Sequence, residues 1–260
     1  MPLAEGAGHT VGQVLLDAAG VEIARFREEA RDNRRVADLF TLAPEVSPRQ
    51  AVPVVMTELR GWQVAAEEPL GRLLVAAGGR AGRHVHVMSR DLVRDPAPPA
   101  WLEPALPEGM RLTTVDRPAA ELAPVCQLAY PREHPDFAHV PMPGPRELEL
   151  ELETIVSGRL LGPLLRCSSL ALGDDGAVLG AVLVNGMSGE PPTGGPWITQ
   201  IFRHPHARGT GGALLRRALA LATRDGLPAL GLAVTHGNQA LALYEAHGFV
   251  EVLEALNVDV

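Results

Sequence analysis

Hydrophobic positions recur with two different periods along this chain, and the period predicts which element each segment forms. Alternating or continuous apolar residues predict strands, whereas apolar residues that return every three to four positions predict helices. In the second half, the predicted strands are 110–116, two within 168–186, 197–202, 229–235 and 249–260, and the predicted helices are 118–130, 145–158, 210–225 and 238–248. The resulting order, βααβββαβαβ, indicates an α/β fold with a mixed sheet.

The first half has a weaker pattern and ends in a run of prolines. Its apolar spacing predicts a helix over 20–40, a short strand over 51–57, a helix over 68–79 and a strand over 83–91. Prolines within 94–108 exclude helix and central strand, which predicts a linker. We therefore expect a smaller N-terminal α/β region at 1–93, the linker at 94–108, and a larger domain at 109–260.

Composition limits the partners of the protein more than its fold. The 260 residues are 46% hydrophobic and carry a formal net charge of −8, which does not favour binding to nucleic acid. No apolar run approaches the length of a membrane span, and the N-terminus lacks a basic start followed by an apolar core, so no membrane partner is expected. The two cysteines are too few for a disulfide framework, which favours a cytoplasmic location.

A glycine-rich turn, HARGTGG at 206–212, connects a predicted strand to the predicted helix 210–225. Glycine lets several backbone N–H groups approach one anion, and a helix that begins there adds unpaired N–H groups and a positive dipole end. The turn has neither the GxGxxG fingerprint of dinucleotide-binding folds nor the lysine of a P-loop. It is thus either a phosphate cradle of another type or a flexible connection.

The residues RGTGGA at 208–213 resemble the signature [Q/R]-x-x-G-x-[G/A] of the GNAT superfamily of acyl-CoA N-acyltransferases. Arg208, Gly211 and Ala213 occupy its three defined positions. An alternative register uses His206, Gly209 and Gly211. The resemblance implies that this turn binds the pyrophosphate of coenzyme A through the backbone of Arg208, Gly209, Thr210, Gly211, Gly212, Ala213 and Leu214.

A second segment, NQALALYEAHGF at 238–249, resembles the other recurrent motif of the same superfamily. Asn238 is typical of a helix N-cap, Gly248 of a C-cap, and Phe249 of a core anchor. The resemblance implies that Asn238 belongs to the coenzyme A site and that Tyr244 lies beside the sulfur as general acid, since a phenol with a pKa of about 10 can return a proton to a thiolate. The alternative is a buried tyrosine with a structural role.

The resemblance covers about residues 109–260 and implies a GNAT-like sheet, mixed but mostly antiparallel, flanked by helices, whose fourth and fifth strands splay apart. It implies that backbone groups of Ile201, Phe202 and Arg203 bind the acyl-pantetheine arm. The implied reaction transfers an acetyl or other acyl group from acetyl-CoA to a primary amine of a small molecule or peptide, by direct attack and without a metal. The alternative is a non-catalytic acyl-CoA-binding or regulatory protein. Homodimers are common among proteins of this kind.

The group that accepts the proton of the amine is not evident. Many members of that superfamily carry a carboxylate in the middle of the fourth strand, where this chain has Thr199 and Gln200, and neither side chain accepts a proton usefully at neutral pH. A water chain or a loop residue is therefore expected to act instead, with His134, Asp136 and His139 as candidates and Gln200 near the acceptor amine. The acidic run ELELELE at 147–153 is interpreted as a solvated helix face.

The first half contains a pair of histidines and a segment whose layout recurs near the C-terminus. His84 and His86 lie on one face of a predicted strand, but no third residue has the spacing of a metal ligand, so no metal site is expected. The segment 71–92 shares its layout of helix, glycine and strand with 241–260, and Leu74 stands where the second segment has Tyr244. This layout resembles a degenerate half-copy of the same fold, as in tandem GNAT proteins.

Overall fold

A computed structural model describes residues 12–31, 34–138 and 142–260, so His139 lies outside the described residues. The chain forms two compact units: Met1–His86 with Leu253–Val260, and Val87–Val252. No described helix is both long and apolar enough to cross a membrane.

The strands are β1 (Gln13–Leu16), β2 (Glu22–Arg31), β3 (Arg34–Leu42), β4 (Gln63–Glu67), β5 (Arg80–Asp91), β6 (Met110–Thr113), β7 (Ser169–Gly173), β8 (Val178–Met187), β9 (Gly195–Arg203), β10 (Ala229–Thr235) and β11 (Val250–Asp259). The helices are α1 (Pro48–Glu58), α2 (Glu68–Ala76), α3 (Ala119–Ala129), α4 (Pro145–Val156), α5 (Thr210–Arg224) and α6 (Ala240–Glu245).

The helix predicted over 20–40 is wrong, because this segment forms the antiparallel pair β2 and β3. Ala24 and Phe26 lie two residues apart on one strand face and are buried, and Phe26 stacks on Phe40 of β3 with ring centroids 6.0 Å apart. Arg27 also pairs with Asp38 across the strands at 2.6 Å. These cross-strand contacts outweigh the helical spacing of the apolar residues, which is only a local preference.

The strand predicted over 51–57 is also wrong, since the segment lies within helix α1. Pro48 occupies the first turn, where its missing N–H costs nothing, and the side chain of Gln50 accepts a hydrogen bond from the backbone of Ser47 at 3.0 Å. Ala51 and Val55 are spaced by four residues and both are buried, as one face of a helix requires. The predicted α2 and β5 are confirmed.

The second unit contains a sheet in the order β10, β9, β8, β7, β6, with helices on both faces. Successive residues of β8 enter two different cores: Ala181 and Leu183 pack with α3 and α4, whereas Val182 and Val184 pack with α5. Both faces of the central strands are therefore buried, which explains their continuous apolar sequence. Neighbouring strands from β6 to β9 are antiparallel, and the predicted order βααβββαβαβ is confirmed.

The proline-rich segment 94–108 differs from the expected linker. Pro99–Leu102 forms a single 3₁₀ turn, and Ala97 is buried. The N–H of Ala97 donates to the Thr223 hydroxyl at 3.1 Å, and Arg217 donates to the carbonyl oxygen of Leu102 at 3.0 Å, so the segment packs along α5 within the second unit. The two units divide at His86 instead, and the C-terminal residues Leu253–Val260 belong to the first unit.

The two units repeat one order of elements. In the first unit, the chain runs β1, β2, β3, α1, β4, α2 and into β5, and in the second it runs β7, β8, β9, α5, β10, α6 and into β11. The pairings agree as well: the first two are antiparallel in each series, and the third, β3 with β4 or β9 with β10, is parallel. This agreement supports the interpretation of the N-terminal region as a half-copy of the same fold.

Candidate active site

The strands β9 and β10 meet at one point and then separate. Their parallel pairing joins Trp197 to Gly231, and from Ile198 to Arg203 the described partner of β9 is β8. Only a glycine fits at 231, because a Cβ there would lie 2.5 Å from the indole ring of Trp197. Beyond this contact no pairing of β9 with β10 is described, which agrees with the splayed strands that the resemblance implies. The unpaired side of β9 from Ile198 to Arg203 is called the opening below.

Antiparallel pairing decides which backbone groups of β9 face this opening. The N–H and C=O of one residue point to the same side of a strand, and successive residues alternate. The carbonyl of Phe202 points to β8, since a Cβ on Gly180 would meet its oxygen at 2.7 Å, whereas the carbonyl of Ile201 accepts a hydrogen bond from Tyr130 instead. The backbone N–H and C=O groups of Ile201 and Arg203 therefore face the opening, whereas those of Phe202 face β8 within the sheet.

The glycine-rich turn forms an exposed backbone cradle at the start of α5. Gly209 adopts a φ of 84°, in the left-handed region that glycine favours, and a Cβ at this position would meet nothing within 4 Å. A Cβ on Gly211 would meet only the Arg203 side chain, at 3.8 Å. Among the described residues, no carbonyl outside the helix accepts the N–H of Gly211 or Gly212, so both are free to bind an anion.

The other residues predicted for the cradle contribute in different ways. Thr210 is buried, and its hydroxyl is directed to the sulfur of Met110 at 3.5 Å. Ala213 and Leu214 are fully buried, and the N–H of Ala213 already donates to the Gly209 carbonyl at 3.2 Å. Arg208 is exposed. The guanidinium that lies against the cradle is that of Arg216, whose Nη1 would be 3.4 Å from a Cβ on Gly212.

Helix α6 brings Tyr244 beside this turn. Asn238 accepts a hydrogen bond from the Ala240 N–H through its side-chain oxygen at 2.9 Å, which starts the helix, and Gly248 has a φ of 78° after its end. The observed helix, Ala240–Glu245, is shorter than the predicted 238–248. A Cβ on Gly212 of the cradle would lie 3.8 Å from the Leu243 side chain, one residue before Tyr244.

Tyr244 is held as a neutral phenol. Its side chain is 6% exposed, and its ring packs edge-on against Phe249 with centroids 5.9 Å apart. Burial raises the pKa of Tyr244 strongly, and the charge of Asp136 raises it further. Asp136 in turn accepts a hydrogen bond from the hydroxyl of Thr235, at the end of β10. The phenol therefore keeps its proton across the physiological range, as a general acid requires.

The loop 131–138 spans the opening between the separated strands. On the β9 side, the hydroxyl of Tyr130 donates to the carbonyl of Ile201 at 3.0 Å, and its ring packs edge-on against His134 at 4.8 Å. On the β10 side, Asp136 lies 3.5 Å from the His134 ring nitrogen and holds Thr235. Two of the predicted loop residues, His134 and Asp136, are thus brought together at the opening near Tyr244.

Tyr130 is a residue that the sequence analysis missed. It is one of two tyrosines in the chain and stands at the end of α3, directly before the loop of the predicted acceptor site. Its hydroxyl also lies 3.3 Å from the side-chain oxygen of Gln200. This position places the phenol against the backbone that is predicted to bind the acyl-pantetheine arm.

Glu151 is a second missed residue, although it is exposed, as the interpretation of 147–153 as a solvated helix face predicts. Although the residue as a whole is exposed, desolvation of its carboxyl raises the pKa of Glu151. An interaction with the side chain of Gln200 on β9 offsets part of this rise. The signal in the sequence is the buried stripe of α4, formed by Leu148, Leu152 and Ile155, which Glu151 borders.

The comparisons with known proteins agree with this geometry. The family model that matches is the acetyltransferase (GNAT) family, and it matches residues 139–249. This segment is a GNAT domain. It includes the cradle, β8 to β10 and Tyr244, all of which lie in the second unit. Comparison with curated proteins gives no significant match.

The likeness in fold extends beyond the GNAT domain. A GCN5-related N-acetyltransferase from Sphaerobacter thermophilus is similar with a TM-score of 0.63 and 16% identity, over 94% of this chain and 78% of that one. A tandem GNAT protein from the clavulanic acid biosynthesis pathway has a TM-score of 0.57 and 17% identity, over 93% and 80%. A functionally unknown protein from Staphylococcus epidermidis has a TM-score of 0.55 and 10% identity, over 95% and 93%. The GNAT fold therefore accounts for nearly the whole chain.

Proposed function

We propose that the second unit transfers an acetyl group, or another acyl group, from acetyl-CoA to a primary amine. The family supports acyl transfer in general. The observation that carries the proposal is the opening between β9 and β10. The cradle with its free N–H groups lies beside α6, and the neutral phenol of Tyr244 lies within the influence of the Asp136 charge in the loop 131–138. This combination supplies an anion site, an acid and a loop for the acceptor within one unit.

The cradle suits the pyrophosphate of coenzyme A. The N–H groups of Gly211 and Gly212 and the positive end of the α5 dipole would face the phosphates, with Arg216 as the cation beside them. Ile201 and Arg203 would offer backbone groups to the pantetheine arm along β9. Binding the arm there requires the Tyr130 hydroxyl to share or release the carbonyl of Ile201.

The reaction proceeds by direct attack. The amine nitrogen forms a bond to the thioester carbonyl carbon, the carbon–sulfur bond breaks, and the leaving thiolate receives a proton from Tyr244. The amine proton passes to a carboxylate, for which we propose Glu151, through a bridging water at the opening. Cysteine nucleophiles play no part, because burial raises the pKa of Cys126 and of Cys167 to about 12 and keeps both thiols protonated.

Two measurements on the full chain test this function. The first is the melting temperature with acetyl-CoA, which should rise because a ligand that binds only the native state adds about 2.7 kcal/mol at a concentration 100 times its Kd. The second is the release of free thiol from acetyl-CoA with a panel of amino acids, polyamines, aminoglycosides and peptides. Thiol release that depends on one class of amine supports the proposal and names the acceptor.

The two measurements separate the proposal from its alternative. An unchanged melting temperature at millimolar acetyl-CoA would contradict any coenzyme A site in this unit. A clear rise without thiol release from any amine would instead support a non-catalytic acyl-CoA-binding protein.

A further inference from the structure

Two histidines and a glutamate from different strands converge in the first unit. His84 and His86 lie two residues apart on β5, so their side chains share one face of the strand. Glu254 lies on β11, which is the neighbour of β5 in the sheet. The close approach of these two segments is visible at Gly82, where a Cβ would meet the carbonyl oxygen of Asn257 at 3.1 Å.

The three side chains bring their donor atoms together. The Nε2 of His84 lies 2.6 Å from a carboxylate oxygen of Glu254, and the rings of His84 and His86 have centroids 5.2 Å apart. One nitrogen from each imidazole and one oxygen of Glu254 all lie within 4.8 Å of one another. Ligands of a tetrahedral zinc ion at about 2.0–2.2 Å are roughly 3.3 Å apart, so small side-chain rotations would complete the coordination.

The site is sheltered and borne by regular strands. His86 is only 7% exposed, and the side chains of His84 and Glu254 are 23% and 32% exposed. Both strands are hydrogen-bonded in the sheet, so the backbones of the three ligands are in place before a metal binds, which lowers the entropic cost of binding. The partial exposure leaves a route for an ion to enter.

We propose that His84, His86 and Glu254 bind a zinc ion. Two neutral imidazole nitrogens and one carboxylate oxygen are a ligand set that Zn²⁺ accepts. The ion would join β5 to β11 within the first unit, independently of the acyl-CoA site. No metal site is expected from the sequence alone, because no third ligand follows the histidines at suitable spacing and Glu254 is separated from His84 by 170 positions.

The competing explanation is that His84 and Glu254 form only a hydrogen bond between two strands. The chain offers a matched control, since His204 and His206 are also two residues apart with ring centroids 5.2 Å from each other. Among the described residues, the grouping of metal-binding side chains includes the first pair and not the second. A pair of histidines alone should therefore not produce the expected affinity.

The experiment is a titration of the metal-free full chain with Co²⁺ and with Zn²⁺. Co²⁺ reports coordination through visible absorption, and displacement of Co²⁺ by Zn²⁺ gives the zinc affinity. We expect one equivalent to bind, and His84→Gln, His86→Gln and Glu254→Gln each to weaken binding by at least about tenfold. His206→Gln should bind as the unsubstituted chain does.

A structural loss is distinguished from a lost ligand by circular dichroism and by a Glu254→Asp variant, which keeps a carboxylate and should retain more of the affinity than Glu254→Gln. The melting temperature of the unsubstituted chain should also rise with Zn²⁺ and fall back with a chelator. Absence of binding at millimolar Zn²⁺, or binding that survives in all three glutamine variants, would overturn the proposal.

Discussion

At the scale of single residues, environment rather than residue type decides the chemistry of this site. Tyr244 is one of two tyrosines, and its burial beside Asp136 keeps it neutral. Glu151 is one of four glutamates in the run 147–153, and desolvation raises the pKa of its carboxyl, while its interaction with the Gln200 side chain offsets part of this rise. A sequence shows the residue types, whereas the surrounding contacts assign their roles.

Replacing Tyr244 by phenylalanine should lower turnover and leave acetyl-CoA affinity unchanged. The substitution removes only the hydroxyl, so the edge contact with Phe249 persists while the leaving thiolate loses its proton donor. We expect kcat for an accepted amine to fall by about 100-fold or more. Steady-state kinetics with calorimetric measurement of acetyl-CoA binding would check this, and an unchanged kcat would remove Tyr244 as the acid.

Replacing Glu151 by glutamine should change the pH profile. A carboxyl accepts a proton only when it is ionised. Because the pKa of Glu151 is raised above the ordinary carboxyl value, activity should rise as the pH passes through that raised pKa. The Glu151→Gln variant should have a lower kcat/KM and lose this rise. Glu153→Gln is the matched control on the same helix, since Glu153 pairs with Arg159 at 3.2 Å. A profile that is the same in both variants would exclude Glu151 as the base.

At the scale of elements, the strand–turn–helix unit of β9 and α5 forms the proposed anion site. The glycines leave the backbone uncovered, and the first turn of α5 presents N–H groups that the helix itself cannot pair. The strand, the turn and the helix could be predicted from sequence because they are contiguous. The orientation of the turn could not, since the buried Thr210, Ala213 and Leu214 set which face of the turn remains exposed.

Replacing Gly211 by glutamate should abolish coenzyme A binding. The added side chain would cover the N–H groups and repel the phosphates, and we expect a loss of at least about 100-fold in affinity, on the order of 3 kcal/mol. Gly211→Ala is the control: its Cβ would meet only Arg203, at 3.8 Å, so the free protein should fold normally and lose less affinity. Calorimetry would check both, and equal affinity of Gly211→Glu and the unsubstituted chain would place the phosphates elsewhere.

At the scale of the whole molecule, the chain contains two units that repeat one order of strands and helices, with a free cradle and a tyrosine in the second. The first unit has Leu74 where the second has Tyr244, and Leu74 is fully buried in its core. The repeat was detectable from the layout of one short segment, whereas the hairpin of β2 and β3 was not.

A chain truncated to residues 94–260, which begins at the predicted linker, should be less stable than the full chain. The residues Ala255–Asp259 of β11 pair with Gln63–Glu67 of β4, and truncation removes these partners and leaves a strand edge unpaired. Urea unfolding and light scattering would check this. A truncated chain as stable and monodisperse as the full one would show that the division lies at the proline-rich segment after all.

The sequence by itself determined the order of elements in the second unit, the glycine cradle and the tyrosine motif. These features are local, because periodic burial and contiguous motifs are written in neighbouring residues. Only the tertiary structure decided the hairpin in place of a helix at 20–40 and the contacts of Tyr130, Glu151 and Glu254. Tyr130 and Gln200 are separated by 70 positions and His84 and Glu254 by 170, and such pairs are set by strand pairing and packing, which no local pattern encodes.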